Sequence, residues 1–142
     1  MDGYSNMLQL AEDRKALIKL STQKKWKHSF NFREQLFTLR NTILVTDTKQ
    51  LIIYASSNIY NMSGYRPEEV LHKRPSIFQG EDTSTQITEQ IRKSIDKQQP
   101  FDVILANYTK QGEVYNCHIQ GYPVFNAADQ LVNFIAFEKK AA

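Results

Sequence analysis

The stretch from Phe101 to Phe137, FDVILANYTKQGEVYNCHIQGYPVFNAADQLVNFIAF, decides the fold. Phe101, Val103 and Leu105 alternate with Asp102 and Ile104, the two-residue period of a strand with one buried face. Gln111-Gly112 is a turn pair, Val114 to Val124 reads as a long strand, and Asn126-Ala127-Ala128-Asp129 turns the chain into a last strand, Leu131 to Phe137. On the middle strand, Tyr115, Cys117 and Ile119 fall on the inward face.

Upstream, residues 83 to 97 predict a helix. Thr83 with Gln86 matches a capping box, Ile87, Ile91 and Ile95 share one face, and Pro100 closes the segment. Short helical pieces precede it. Gly64 is a stop for Ser57 to Ser63, and Pro67 followed by Glu68 and Glu69 suits a first helical turn. Earlier still, Ile43-Leu44-Val45 and Leu51-Ile52-Ile53-Tyr54 flank Asp47-Thr48-Lys49-Gln50 in the manner of a hairpin. Two strands, several helices and three strands, in blocks, predict an α+β fold. The expected architecture is a five-stranded antiparallel sheet with helices on one face and a pocket between the layers.

Residues 1 to about 40 have a helical pattern and form an expected N-terminal extension to a domain spanning 41–142. Met7, Leu10, Ala11, Leu17, Ile18 and Ser21 make its apolar stripe, with charges elsewhere. Phe30, Phe32, Leu36, Phe37 and Leu39 follow. Ile104, Ala106, Tyr122, Ile135 and Phe137 lie on the sheet's outward face. The extension is expected to cover that face, in its own subunit or in a partner.

With 142 residues, 41% hydrophobic and 23% charged, the chain has the profile of one globular domain. A net charge of +3 is too mild to predict nucleic-acid binding. The run Lys24, Lys25, Lys27 and His28 around Trp26 reads as a solvated turn. No apolar run approaches the roughly 20 residues of a membrane span, and acidic and basic residues interrupt any signal-peptide core in Met1 to Leu20, so a cytoplasmic protein is expected. Cys117 is the sole cysteine, which excludes an internal disulfide and reads as a small buried hydrophobe. His28, His72 and His118 fall in different elements, and no metal or haem site is expected. Neither a phosphate loop nor a Ser-His-Asp pattern occurs, and no enzymatic activity is expected.

Four pieces in order resemble PAS domains of the light-oxygen-voltage (LOV) branch. They are Ile52-Ile53-Tyr54-Ala55-Ser56; Met62-Ser63-Gly64-Tyr65 with Pro67-Glu68-Glu69-Val70-Leu71; Ser76-Ile77-Phe78-Gln79-Gly80-Glu81-Asp82-Thr83; and Asn107-Tyr108-Thr109-Lys110-Gln111-Gly112. The resemblance spans roughly Thr42 to Glu138. It implies a sensor whose family signature, Asn-Cys-Arg-Phe-Leu-Gln-Gly, stands here as Arg74-Pro75-Ser76-Ile77-Phe78-Gln79-Gly80. Pro75 occupies the place of the photoactive cysteine, and proline has no nucleophile to add to a flavin. Of six implied polar flavin contacts, Gln79 and Asn107 remain. Arg74 and Ser76 replace an asparagine and an arginine, Cys117 a second strand asparagine, and Glu138 the last-strand glutamine. Unpaired ligand groups cost about 1–3 kcal/mol each, so flavin affinity is expected to drop. Arg74, two residues before Ser76, is the candidate to replace the missing arginine at the phosphate.

The candidate pocket residues are therefore Gln79, Asn107, Cys117 and Glu138. Gln79 and Asn107 either contact a ligand or brace the fold. Glu138 either points into the pocket, where it needs a partner or a proton, or lies in solvent beside Lys139 and Lys140. The expected function is a signal-sensing or protein-interaction PAS domain without cofactor, homodimeric through its N-terminal helix and the outer sheet face, responding to an unknown small ligand or output protein. Two alternatives stand beside it: a flavin (FMN) photoreceptor without the cysteine that signals by flavin photoreduction, and a dimerisation module with a collapsed pocket.

Overall fold

A computed structural model describes residues 3–142, so the first two residues of the expected extension lie outside the described residues. The elements are α1 (Gly3–Gln23), a π-helical turn (Glu34–Thr38), β1 (Thr42–Thr46), β2 (Ile52–Ala55), α2 (Ile59–Ser63), α3 (Pro67–Val70), a 3-10 turn (Pro75–Phe78), α4 (Thr85–Asp96), β3 (Phe101–Tyr108), β4 (Val114–Phe125) and β5 (Leu131–Lys140). The strands form one sheet in the order β2-β1-β5-β4-β3, with every neighbouring pair antiparallel. The expected α+β architecture is what the chain adopts.

Local chemistry accounts for most boundaries. Gly64 ends α2 at φ +76°, and Gly112 turns the β3–β4 hairpin at φ +90°, both in the left-handed region that glycine enters without a Cβ penalty. Pro67 opens α3, and the Glu69 carboxylate accepts from the Arg66 backbone N–H at 2.8 Å. One expectation is corrected. The cap of α4 is Ser84, whose hydroxyl accepts from the Ile87 N–H, because Thr83 is committed elsewhere. The Thr83 hydroxyl donates to the Ala106 carbonyl and accepts from the Gly80 N–H.

The two faces of the sheet bury separate cores. Leu44, Ile52, Leu105, Cys117 and Ile119 pack with α2, α3 and Phe78 on the inner side. Ile43, Val45, Val124, Ile135 and Phe137 pack on the outer side with Leu10 and Leu17 of α1 and with Phe32 and Leu36. Each large aliphatic side chain so buried contributes about 1.5–3 kcal/mol.

α1 covers the outer face within its own subunit, but its orientation corrects the expected stripe. Leu10, Asp13 and Leu17 are the buried positions, while Met7 and Ile18 are 55% and 42% exposed. Helical spacing puts position 13 on the same face as Leu10 and Leu17, but the charge of an aspartate argues against burial there. Asp13 is drawn in because its carboxylate accepts from Tyr54 Oη at 2.6 Å, from the Ser57 N–H at 3.0 Å and from Ser57 Oγ at 2.6 Å. The cover is also narrower than expected. It reaches β1, β5 and Val124 of β4, and leaves Ile104 of β3 and Tyr122 of β4 54% and 36% exposed.

The helical pattern to residue 40 is corrected as well. The helix ends at Gln23, and Lys25 takes φ +55°. Trp26 then bridges to Asn126, its Nε1 donates to Asn133 Oδ1 at 2.9 Å, and the Lys27 N–H donates to the Phe125 carbonyl. These contacts with the β4–β5 hairpin override local helix preference. The basic run is a surface turn, as read, with Lys27 paired to Asp129.

Candidate functional site

A cavity of about 430 Å³ lies between the inner face of the sheet and the layer made by the 3-10 turn and α4. Its walls are mainly apolar, with Leu44, Phe78, Ile91, Leu105 and Ile119 among them; Thr46, Gln79, Asn107 and Glu138 are polar groups in that lining. Arg74, Arg92 and Asp96, all exposed, also line it. The volume falls within the roughly 300–1,000 Å³ typical of small-molecule sites. The pocket is thus open, which corrects the alternative of a collapsed one.

Each polar group is positioned by its element. Pro75 starts the 3-10 turn, buried Phe78 anchors its end, and half-buried Gln79 follows. The next residues are tied to β3. Tyr108 Oη accepts from the Asp82 N–H at 2.7 Å, and the Thr83 hydroxyl holds Ala106. Gly80 is required here, since an added Cβ would sit 2.5 Å from the Tyr108 ring. Gln79 and Asn107 are therefore held by the same anchored loop and strand. Asn107 is buried on β3 opposite Tyr115 of β4.

Glu138 lies on β5 between Thr42 of β1 and Ile119 of β4. It is buried and lines the cavity, so of its two expected placements the structure shows the inward one. Burial pushes its carboxyl up to about 7, opposed only by the Cys117 thiol, whose Sγ is 3.6 Å from Oε1. A charged carboxylate here would lack a cation to pair with, so the neutral acid is the favoured form below neutral pH. Cys117 is fully buried beside Glu138 in the inner core and is absent from the cavity lining. Burial first, and then the Glu138 charge, push its thiol far up, leaving it inert as a nucleophile.

Of the four residues picked from sequence, Gln79, Asn107 and Glu138 meet on one cavity, joined by Pro75, while Cys117 packs in the adjoining inner core. Thr46 was missed. Its Oγ1 is buried without a hydrogen-bond partner among the described residues, and it lines the same cavity. Strand alternation could not have singled it out, because all five β1 residues are buried.

The family model described as "PAS domain" matches residues 40–139. The chain belongs to the PAS domain family. Within it, the chain is similar to Protein TWIN LOV 1 of Arabidopsis thaliana, 29% identical over 79% of this chain and 29% of that protein. It is also similar to a blue-light photoreceptor of Listeria innocua, 28% identical over 68% of this chain and 39% of that protein. The chain thus spans less than half the length of these relatives. Among solved structures it shares the fold of one published under the words "Flavin Analogue Sheds Light on Light-Oxygen-Voltage Domain Mechanism", at TM-score 0.73 and 23% identity, covering 80% of this chain and 87% of that one. The resemblance to LOV-type PAS domains read from the sequence is borne out.

The expectation of no cofactor is overturned. The relatives are named as blue-light photoreceptors and LOV proteins, and the LOV neighbour is described with a flavin analogue. The cavity's chemistry agrees with that correction. An unpartnered threonine hydroxyl, two carboxamides and a neutral acid offer donors and acceptors to the edge of a planar heterocycle between apolar walls. Arg74 and Arg92 supply positive charge for an anionic tail. Among the described residues there is no cluster of three metal-ligating side chains, and no helix is long and apolar enough to cross a membrane.

Proposed function

We propose that this PAS domain is the sensory module of a light-signalling protein, that it holds a flavin such as FMN in the cavity between sheet and α4, and that it works without a cysteine–flavin bond. The observation that carries this reading is the 430 Å³ cavity on which Gln79, Asn107 and Glu138 converge. The bound flavin would supply absorption of blue light and a reducible ring. Gln79 and Asn107 would bond its polar edge, Leu44, Phe78 and Ile119 would enclose its faces and exclude water, and Arg74 or Arg92 would hold its anionic tail. Pro75, in the lining, carries no nucleophile, and the one thiol, Cys117, is buried and protonated.

The sheet itself is the proposed route outward. Glu138 faces the cavity, while its neighbour Phe137 packs in the outer core that seats α1. A change at the cavity that repositions β5 would therefore be felt by the helix, provided the ligand's two states favour different arrangements. Met7, Leu8 and Ile18, exposed on α1, would pair two copies of the chain, giving a non-enzymatic cytoplasmic homodimer that passes its signal to an output protein.

The absorption spectrum of the purified protein tests the flavin reading. A yellow protein with structured bands that releases about one flavin per chain on denaturation is the expected result. A colourless protein that fails to take up FMN or riboflavin overturns it.

A further inference from the structure

Glu138 is a buried carboxyl in a cavity lining, and such groups are normally paired with a cation or with several donors. Its one side-chain hydrogen-bond partner among the described residues is the Cys117 thiol at 3.6 Å. Every element packed on β5, or facing it across the cavity, leaves it without a counter-charge. β4 brings Cys117 and Tyr115, both held protonated by burial and by Glu138 itself. β1 brings Thr42 and Thr46, and β3 brings Asn107, none of which titrates. The 3-10 turn and α4 offer only the exposed Arg74, Arg92 and Asp96, and no cation contributes to the state of the carboxyl. On its own strand, Lys139 is exposed and Lys140 lies over the Tyr115 ring at 5.3 Å.

Ionised, a carboxylate can only accept hydrogen bonds; protonated, it donates through O–H and accepts through C=O, as an amide does. Only the neutral acid therefore presents a donor to lone pairs on a heterocycle's edge. An anion at the same place would repel them in a low-dielectric site. We propose that Glu138 makes this a proton-linked binding site: it takes an uncharged planar heterocycle with an acceptor on its edge while protonated, so that in alkaline solution each ligand bound draws one proton from solvent. The inference rests on the flavin reading and adds to it what the exchange of an amide for an acid at 138 does. The site prefers a neutral ring over an anionic one, and its occupancy falls as pH rises.

Riboflavin is the probe, since it has no phosphate to titrate near pH 6. It is titrated by fluorescence into the apoprotein, as wild type and as Glu138→Gln, between about pH 6 and about pH 9. Wild-type affinity should fall about tenfold per pH unit above neutrality, while the variant, with a permanent donor and acceptor, stays level. Calorimetry in two buffers of different ionisation heat should show proton uptake rising towards one per ligand in the wild type alone. Riboflavin binding that is level with pH in the wild type, or that falls equally in both proteins, overturns this inference and leaves the flavin reading standing. No binding by either protein at any pH overturns both.

Discussion

Asp13 on the N-terminal helix accepts a 2.6 Å hydrogen bond from Tyr54 Oη on β2, across 41 residues of chain. Together with its two bonds from Ser57, this fixes α1 on the outer face of the sheet. The same contact, after burial, holds the tyrosine hydroxyl well above its ordinary range. Asp13→Ala removes three bonds to a carboxylate and leaves the Tyr54 and Ser57 donors under the helix. Unfolding by denaturant should show a loss of about 2–4 kcal/mol. Tyr54→Phe, which strands only one lone pair, should cost less than half of that.

Glu138 also couples stability to pH. Its folded carboxyl is raised to about 7, while the unfolded group titrates in the ordinary carboxylate range. Between those values the unfolded chain has released the proton and the folded chain retains it, so stability falls as pH rises through the window and levels off above it. The drop should approach about 3 kcal/mol between roughly pH 5 and pH 8, read from urea midpoints of the apoprotein. Glu138→Gln should remove this component and be the more stable protein at the alkaline end.

Gly80 and the Tyr108 ring leave no room for a side chain between them. Gly80→Ala should push the loop off β3, loosening Gln79 relative to Asn107. A cost of about 1–3 kcal/mol in stability is expected, with a loss of riboflavin affinity larger than that of the equally exposed control Gly112→Ala. The φ of +90° at Gly112 makes that control sensitive to backbone strain alone.

Met7 and Ile18 project from α1 away from the outer core. Changing both to Glu should convert the proposed dimer into a monomer in sedimentation, while moving stability by no more than about 0.5 kcal/mol. Leu17→Ala, inside the outer core, should instead cost about 2–5 kcal/mol. An unaltered sedimentation coefficient in the double variant, with wild type already monomeric, would remove the homodimer from the proposal.

Pro75 bears on the photochemistry. Pro75→Cys places a thiol on the cavity lining, and the flavin-loaded variant should gain a blue-light bleaching that recovers in the dark, absent from the wild type. Identical spectra of the two proteins under illumination would count against the position read for the missing cysteine.

Local pattern was enough for the strands, their hairpins and their succession along the chain, though not their order in the sheet, because the period-2 alternation of β3, the glycines at 64 and 112 and the proline at 67 act within a few residues. The resemblance to LOV-type domains, rather than local pattern, gathered Gln79, Asn107 and Glu138 as candidates. What the amino-acid order could not decide was direction. Whether Glu138 faced water or a cavity depended on β1 and β4 closing over β5 from either side. Whether an aspartate could sit between Leu10 and Leu17 on the buried face of α1 depended on Tyr54 and Ser57, more than 40 residues away. Of the stripe expected from helical spacing, Leu10 and Leu17 face the sheet while Met7 and Ile18 do not. Three hydrogen bonds to one buried carboxylate outweigh two aliphatic contacts, and only the assembled sheet brings those donors together.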